Sequence, residues 1–168
     1  MWIQSSKKKF DTAGQVYDYA LDLLTVRDYS TGELQKKLSA KGAPDDFIAE
    51  AVIKLKEYGF LNERRYAYRV LEAWKAKKYY GRRHLEAELY KKNVASEYFA
   101  EINEAFSDEE EYEHALTAWK LFLKKNKKRI SEHDSKLYAA AARFMVARGF
   151  STRYVHSLMN ELQFQNNI

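Results

Sequence analysis

The sequence predicts an all-α fold of three tandem three-helix units, helix–turn–helix-like, laid out in an elongated arrangement. Three observations lead there. One template of apolar and turn positions recurs about Gly42, Asn93 and Gly149. Glycine and proline are scarce, with 6 and 1 in 168 residues, while Lys, Glu, Leu and Ala abound, as suits helices. The apolar positions fall at helical spacing throughout.

In the first copy Leu34 and Leu38 precede Gly42, and Ala43, Phe47, Ile48, Ala51 and Leu55 follow it. In the second, Leu85 and Leu89 precede Asn93, and Val94, Tyr98, Phe99, Ile102 and Phe106 follow. In the third, Ala141 and Met145 precede Gly149, and Phe150, Tyr154, Val155, Leu158 and Leu162 follow. Gly and Asn tolerate the left-handed conformation that closes a helix. The residue before each is Lys41, Lys92 or Arg148, a cation in the last turn where the helix dipole favours it.

The chain divides into a basic arm at 1–12 and units at 13–60, 61–106 and 107–168. Helix one spans roughly Ala13 to Arg27, with Val16, Tyr19, Ala20, Leu23 and Leu24 facing inward. Ser30-Thr31-Gly32-Glu33 reads as a capping box opening helix two. Pro44 opens helix three, with Asp45 and Asp46 at the positive end of its dipole, and Gly59 closes it. Asn62 is the N-cap of helix four, whose stripe is Tyr66, Ala67, Val70, Leu71 and Trp74. A break at Tyr79-Tyr80-Gly81 leads to helix five, which ends at Asn93, and helix six covers about Ser96 to Phe106. Ser107 to Glu110 forms another capping box. Helix seven then buries Tyr112, Ala115, Leu116, Trp119 and Leu123. A lysine-rich connection from Lys124 to about Glu132 precedes helices eight and nine, which reach Arg148 and about Gln163.

Composition excludes several classes. With no cysteine, disulfide scaffolds, thiolate zinc sites and cysteine nucleophiles are absent. Lys7, Lys8 and Lys9 have no apolar run behind them, so the N-terminus is no secretory signal, and no stretch is long enough to span a bilayer. A cytoplasmic protein is the expectation. The histidines His84, His114, His133 and His156 lack metal-ligand spacing and are expected at the surface or its boundary. There is no Gly-rich phosphate loop and no nucleophile elbow. Neither an enzyme nor a bound cofactor or metal is expected.

The net charge is only +5, but its distribution is uneven. Arg64, Arg65, Arg69, Lys75, Lys77, Lys78, Arg82, Arg83, Lys91 and Lys92 crowd one stretch, opposed by Glu72, Glu86 and Glu88. Such a surface attracts phosphate backbones or an acidic protein, with strong salt dependence. Arg82 and Arg83 are expected exposed, and Tyr79 and Tyr80 beside them can stack on a partner. The candidate contact residues are Arg64, Arg65, Arg69, Lys75, Lys77, Lys78, Tyr80, Arg82 and Arg83. A second basic run, Lys124, Lys125, Lys127, Lys128 and Arg129, reads as a solubilising linker.

Several of these segments together resemble the RecX family. Tyr29-Ser30-Thr31-Gly32-Glu33-Leu34 with Lys37-Leu38 and Lys41-Gly42 resembles its pattern S-x-x-E-L-x-x-K-L-x-x-[KR]-G. Gly59-Phe60-Leu61-Asn62-Glu63 with Tyr66-Ala67, Gly81 with Leu85, Glu88 and Leu89, and Arg148-Gly149-Phe150 resemble its further motifs. Asn62-Glu63 stands where an acidic pair is usual, and Asn93 where a glycine is. The resemblance implies a curved molecule of three-helix repeats. It also implies a regulator that binds in the groove of the RecA–single-strand DNA filament, suppressing ATP hydrolysis and strand exchange. A direct DNA-binding helix–turn–helix protein and a helical protein–protein scaffold are the alternatives.

Overall fold

A computed structural model describes residues 10–131 and 136–166, without side chains from 162 onward. Most of the basic arm, His133 and the side chain of Leu162 lie outside it. The described residues are helical, with no strand among them. In order come α1 (Ala13–Val26), α2 (Thr31–Ala40), α3 (Asp45–Glu57), α4 (Glu63–Lys75) and α5 (Arg82–Lys91). A 3-10 turn at Ser96–Tyr98 leads into α6 (Phe99–Glu104). Then follow α7 (Asp108–Lys125), α8 (Lys127–Ser131), α9 (Leu137–Val146) and α10 (Thr152–Asn166).

The three expected turn centres are left-handed: φ is +90° at Gly42, +53° at Asn93 and +85° at Gly149. Around each, the same two bonds close the helix. Gly42, Asn93 and Gly149 donate to the carbonyls of Ser39, Tyr90 and Val146 at 2.8, 3.0 and 2.9 Å. The next residues, Ala43, Val94 and Phe150, donate to Leu38, Leu89 and Met145 at 3.2, 3.1 and 3.2 Å. This is Schellman closure, and the side chains of Leu38, Leu89 and Met145 are fully buried.

The described residues form two compact units, 10–69 with 89–98 and 70–88 with 99–166. The division falls inside α4 and α5, so the second copy of the template contributes to both. The core of the first unit joins Val16, Ala20, Leu34, Leu38, Ile48, Ala51 and Leu55. Tyr19, Leu23, Leu24 and Phe47 pack half-buried against it. In the second unit Ala115, Trp119, Phe122, Met145, Phe150 and Leu158 form one cluster. Trp74 and Phe106 meet edge to face at 4.9 Å between centroids.

Three local expectations need correction. The buried face of α7 is Glu111, His114, Ala115, Ala118, Trp119 and Phe122, so Tyr112, Leu116 and Leu123 are only half-buried. His114 is buried instead of lying at the surface, because its Nδ1 donates to the Tyr80 carbonyl at 3.0 Å and its ring packs on Trp74 and Phe106. The lysine-rich connection contains a short helix, α8, with Ile130 packed on the core; lysine is a good helix former.

Truncating Leu38 or Leu89 to alanine opens a cavity under a helix-closing turn. Each variant should lose about 2–5 kcal/mol of stability in denaturant titrations.

Candidate functional site

The basic stretch is built partly from structural side chains and partly from exposed ones. Two buried carboxylates explain the division.

In the first unit Glu63, the first residue of α4, is buried. It accepts the Thr31 N–H at the start of α2 at 2.6 Å and the Ala95 N–H at 3.1 Å. The Ser30 hydroxyl donates to the Lys92 carbonyl at 2.8 Å, and Lys36 Nζ donates to Asn93 Oδ1. Asn93 thus supplies both a left-handed backbone and an acceptor that glycine lacks.

In the second unit Glu111 is buried at the first turns of α7. It accepts the Arg82 N–H at the start of α5 at 2.9 Å. The Gly81 N–H donates to the Arg148 carbonyl at 2.8 Å, and the Arg83 N–H to the Gly149 carbonyl at 3.2 Å. A Cβ on Gly81 would lie 2.6 Å from the Phe150 ring and 2.7 Å from the Gly149 carbonyl oxygen, so only glycine fits there. Counted from the turn centres, Ser30 matches Gly81, Thr31 matches Arg82 and Lys92 matches Arg148. Each junction therefore seats the start of a second helix on the turn of the following copy, with a buried glutamate receiving its N–H.

Arg82 belongs to this scaffold. Its guanidinium donates to Glu111 Oε2 at 3.3 Å, to Asp108 Oδ1 at 3.0 Å and to the Asn103 carbonyl, and its side chain is 26% exposed. The expectation that it is exposed fails because a buried carboxylate needs a cation beside it. Lys75 is also committed: Nζ reaches the Ala105 carbonyl at 3.0 Å and Glu110 at 2.8 Å. The hydrogen bond from Lys75 holds the Glu110 carboxyl below the usual range. Arg69 pairs with Asp28. Tyr80 is half-buried, stacked on His84 at 3.8 Å, and His84 Nδ1 accepts the Trp74 indole N–H at 3.0 Å.

Arg69, although paired, stays 61% exposed, and four further candidates are exposed. Arg64 and Arg65 lie in the first unit, and Lys78 and Arg83 in the second; Lys77 is half-buried beside the Tyr80 ring. Lys78 sits at φ +55°, the left-handed stop of α4. Of the nine candidates, the structure brings six into the second unit and leaves Arg64, Arg65 and Arg69 in the first. A 410 Å³ cleft lined by Arg82, Arg83, Glu86, Glu111, Gly149, Ser151 and Arg153 has mixed charge, and Glu111 in it is committed to Arg82. Among the described residues no group of His, Cys, Asp or Glu could hold a metal ion. No helix described is long and apolar enough to cross a membrane.

Sequence reasoning missed Glu63 and Glu111, although a signal was present. Glu63 falls in register with Ala67, Val70 and Trp74, and Glu111 with Ala115, Ala118 and Phe122, which are all buried. A carboxylate on the apolar stripe of a helix is a buried acceptor awaiting donors. The capping boxes divide similarly. Ser107 and Glu110 form the full reciprocal box. Ser30 accepts the Glu33 N–H at 3.0 Å, but Glu33 turns to Arg27 at 2.5 Å and to the Tyr66 hydroxyl at 3.4 Å. Arg27 lowers the Glu33 carboxyl, and burial beside Glu33 pushes Tyr66 up to about 12.

Residues 17–55 match the model of the RecX first three-helix domain. A "Regulatory protein RecX" of Ectopseudomonas mendocina is 31% identical over 142 residues, covering 83% of this chain and 89% of that relative. The chain belongs to the RecX family. A second regulatory protein RecX, from Bacillus licheniformis, is 30% identical over 157 residues; these are 94% of this chain but 59% of the relative's length. The crystal structure of RecX from Lactobacillus salivarius superposes with a TM-score of 0.77 at 19% identity, covering 90% of this chain and 97% of that one. The family fold of helical repeats is thus present.

Arg82→Ala leaves Glu111 buried without its cation and should lower stability by about 2–3 kcal/mol, whereas Arg83→Ala should leave the unfolding midpoint within error. Glu33 and Glu110 titrate below their unfolded values. Their stabilisation is therefore complete above the ordinary glutamate pKa of about 4.3 and fades as pH falls through the folded value. Melting temperature measured against pH should drop in that window, and Glu33→Gln or Glu110→Gln should flatten the drop.

Proposed function

We propose that this chain binds the RecA–single-strand DNA filament and modulates it, mainly by inhibiting ATP hydrolysis and strand exchange. Membership of the RecX family carries the reading, since its curated members are named as regulatory proteins. The three units at 13–60, 61–106 and 107–168 are the proposed modules, and the cytoplasm is the proposed compartment. Several weak contacts, one or more per module, would add through effective concentration without a tight single site. Inhibition needs no catalytic group, because bridging filament protomers or obstructing incoming duplex suffices.

The cations assigned to the contact are exposed ones, Arg64, Arg65 and Arg69 in the first compact unit and Lys78 and Arg83 in the second, together with half-buried Lys77. Lys75 and Arg82 support the contact by holding the helices that carry these residues. Direct DNA reading by the helix–turn–helix units is less well supported. The third helix of the first copy begins with exposed Asp45 and Asp46, and exposed Glu97 stands at the place of Asp46 in the second copy. Carboxylates there repel the phosphates that flank a major groove.

Titrating the chain into RecA on single-strand DNA should depress the DNA-stimulated ATPase at substoichiometric amounts. Replacing Lys78 and Arg83 together with alanine should weaken that effect several-fold, most clearly at low salt, with unchanged thermal stability. An untouched ATPase alongside tight binding to bare duplex would favour direct DNA recognition.

A further inference from the structure

The turn between α3 and α4 presents aromatic rings to solvent in a way the core does not require. Tyr58 is 70% exposed and Phe60 50%, although residues on either side, Leu55 and Leu61, are buried. The backbone between them is firmly held. Gly59 is left-handed at φ +72° and donates to the Lys56 carbonyl at 3.0 Å. The Leu61 N–H closes the helix onto the Leu55 carbonyl at 3.0 Å. The two rings therefore project from a fixed turn, and little backbone ordering entropy remains to be lost when a partner covers them.

Three exposed cations lie close to this turn in the chain, against one exposed carboxylate, Glu57, at the end of α3. The Arg65 guanidinium reaches back to the Gly59 and Phe60 carbonyls at 3.4 and 3.5 Å. Arg64 is exposed and lies over the Tyr68 ring at 5.4 Å, and Lys56 is exposed in the last turn of α3. The one carboxylate of α4's first turn, Glu63, is buried and committed to the Thr31 and Ala95 N–H groups. Positive charge with two solvent-facing rings two residues apart is the chemistry of single-strand nucleic-acid binding. Bases stack on the rings, and guanidinium and ammonium groups follow the phosphates.

We infer that the Tyr58–Gly59–Phe60 turn, with Arg64, Arg65 and Lys56, is a stacking site for single-stranded nucleic acid. It lies wholly within the first unit and does not rest on the RecA reading, so either can fail while the other stands. The test uses the full chain and a fluorescein-labelled oligothymidylate of about twenty nucleotides, followed by anisotropy with no other protein present. Tyr58→Ala with Phe60→Ala should weaken binding about ten-fold at an unchanged melting temperature. Arg65→Gln should reduce the dependence of affinity on salt. Binding of the double variant within two-fold of the parent overturns the proposal, as does equal affinity of the parent for a duplex of the same length. If the double variant binds the oligonucleotide normally but loses its effect on a RecA filament, the rings face a protein, and the proposal is likewise overturned.

Discussion

The structure depends on a buried carboxylate that receives the first N–H of a helix from the preceding copy of the repeat. Glu63 does this for α2 and Glu111 for α5. A helix start leaves backbone donors unsatisfied, and an anion placed there meets both the donors and the positive end of the dipole. A carboxylate so buried is costly unless fully engaged. The remaining contacts of each junction follow from that requirement. The turn carbonyls of Lys92 and Arg148 must approach the same helix start, and this demands left-handed residues at Asn93 and Gly149. Gly81 must be small for the same reason.

This constraint sorts the basic residues of the chain. A charge run in a sequence has no depth, so Arg82 and Arg83 look alike although one neutralises Glu111 and the other faces solvent. Lys75 is drawn to Glu110 and a helix-end carbonyl, and Arg69 to Asp28. Each of these cations has a carboxylate far along the chain, and the pairings are products of tertiary structure. The exposed remainder is smaller than the composition suggests. It is also distributed between two compact units instead of forming one strip within either.

Much of the fold was legible because it rests on local physics. The left-handed stops at Gly42, Asn93 and Gly149, the apolar stripes of α2 to α6 and the capping box at Ser107 depend on residues within a few positions of each other. What escaped depended on distant partners. The buried stripe of α7 lies one position from where its apolar residues alone would put it, since Glu111 reads as a helix-start acid and His114 as a surface histidine. Both are buried because Arg82, Tyr154 and the Tyr80 carbonyl satisfy them. Glu33 likewise left its capping role for Arg27, six residues back, where a bidentate pair outcompetes one backbone N–H. The candidate site suffered most, since exposure decides which cations are available to a partner.

The two junctions meet the same need with different chemistry. Glu63 takes backbone N–H groups from the starts of two helical segments, so helix dipoles carry much of the compensation for its charge. Glu111 takes one backbone N–H, a guanidinium and the Tyr154 hydroxyl, and Arg153 approaches within 3.8 Å. The first arrangement draws on backbone donors, and Arg64 and Arg65, which follow Glu63 directly, stay on the surface. The second consumes a cation at the very place where the basic stretch is densest. A repeat built around buried acids therefore sets how much positive surface each copy can offer. In this chain the copy whose acid takes backbone donors keeps exposed arginines next in sequence to an exposed pair of aromatic rings.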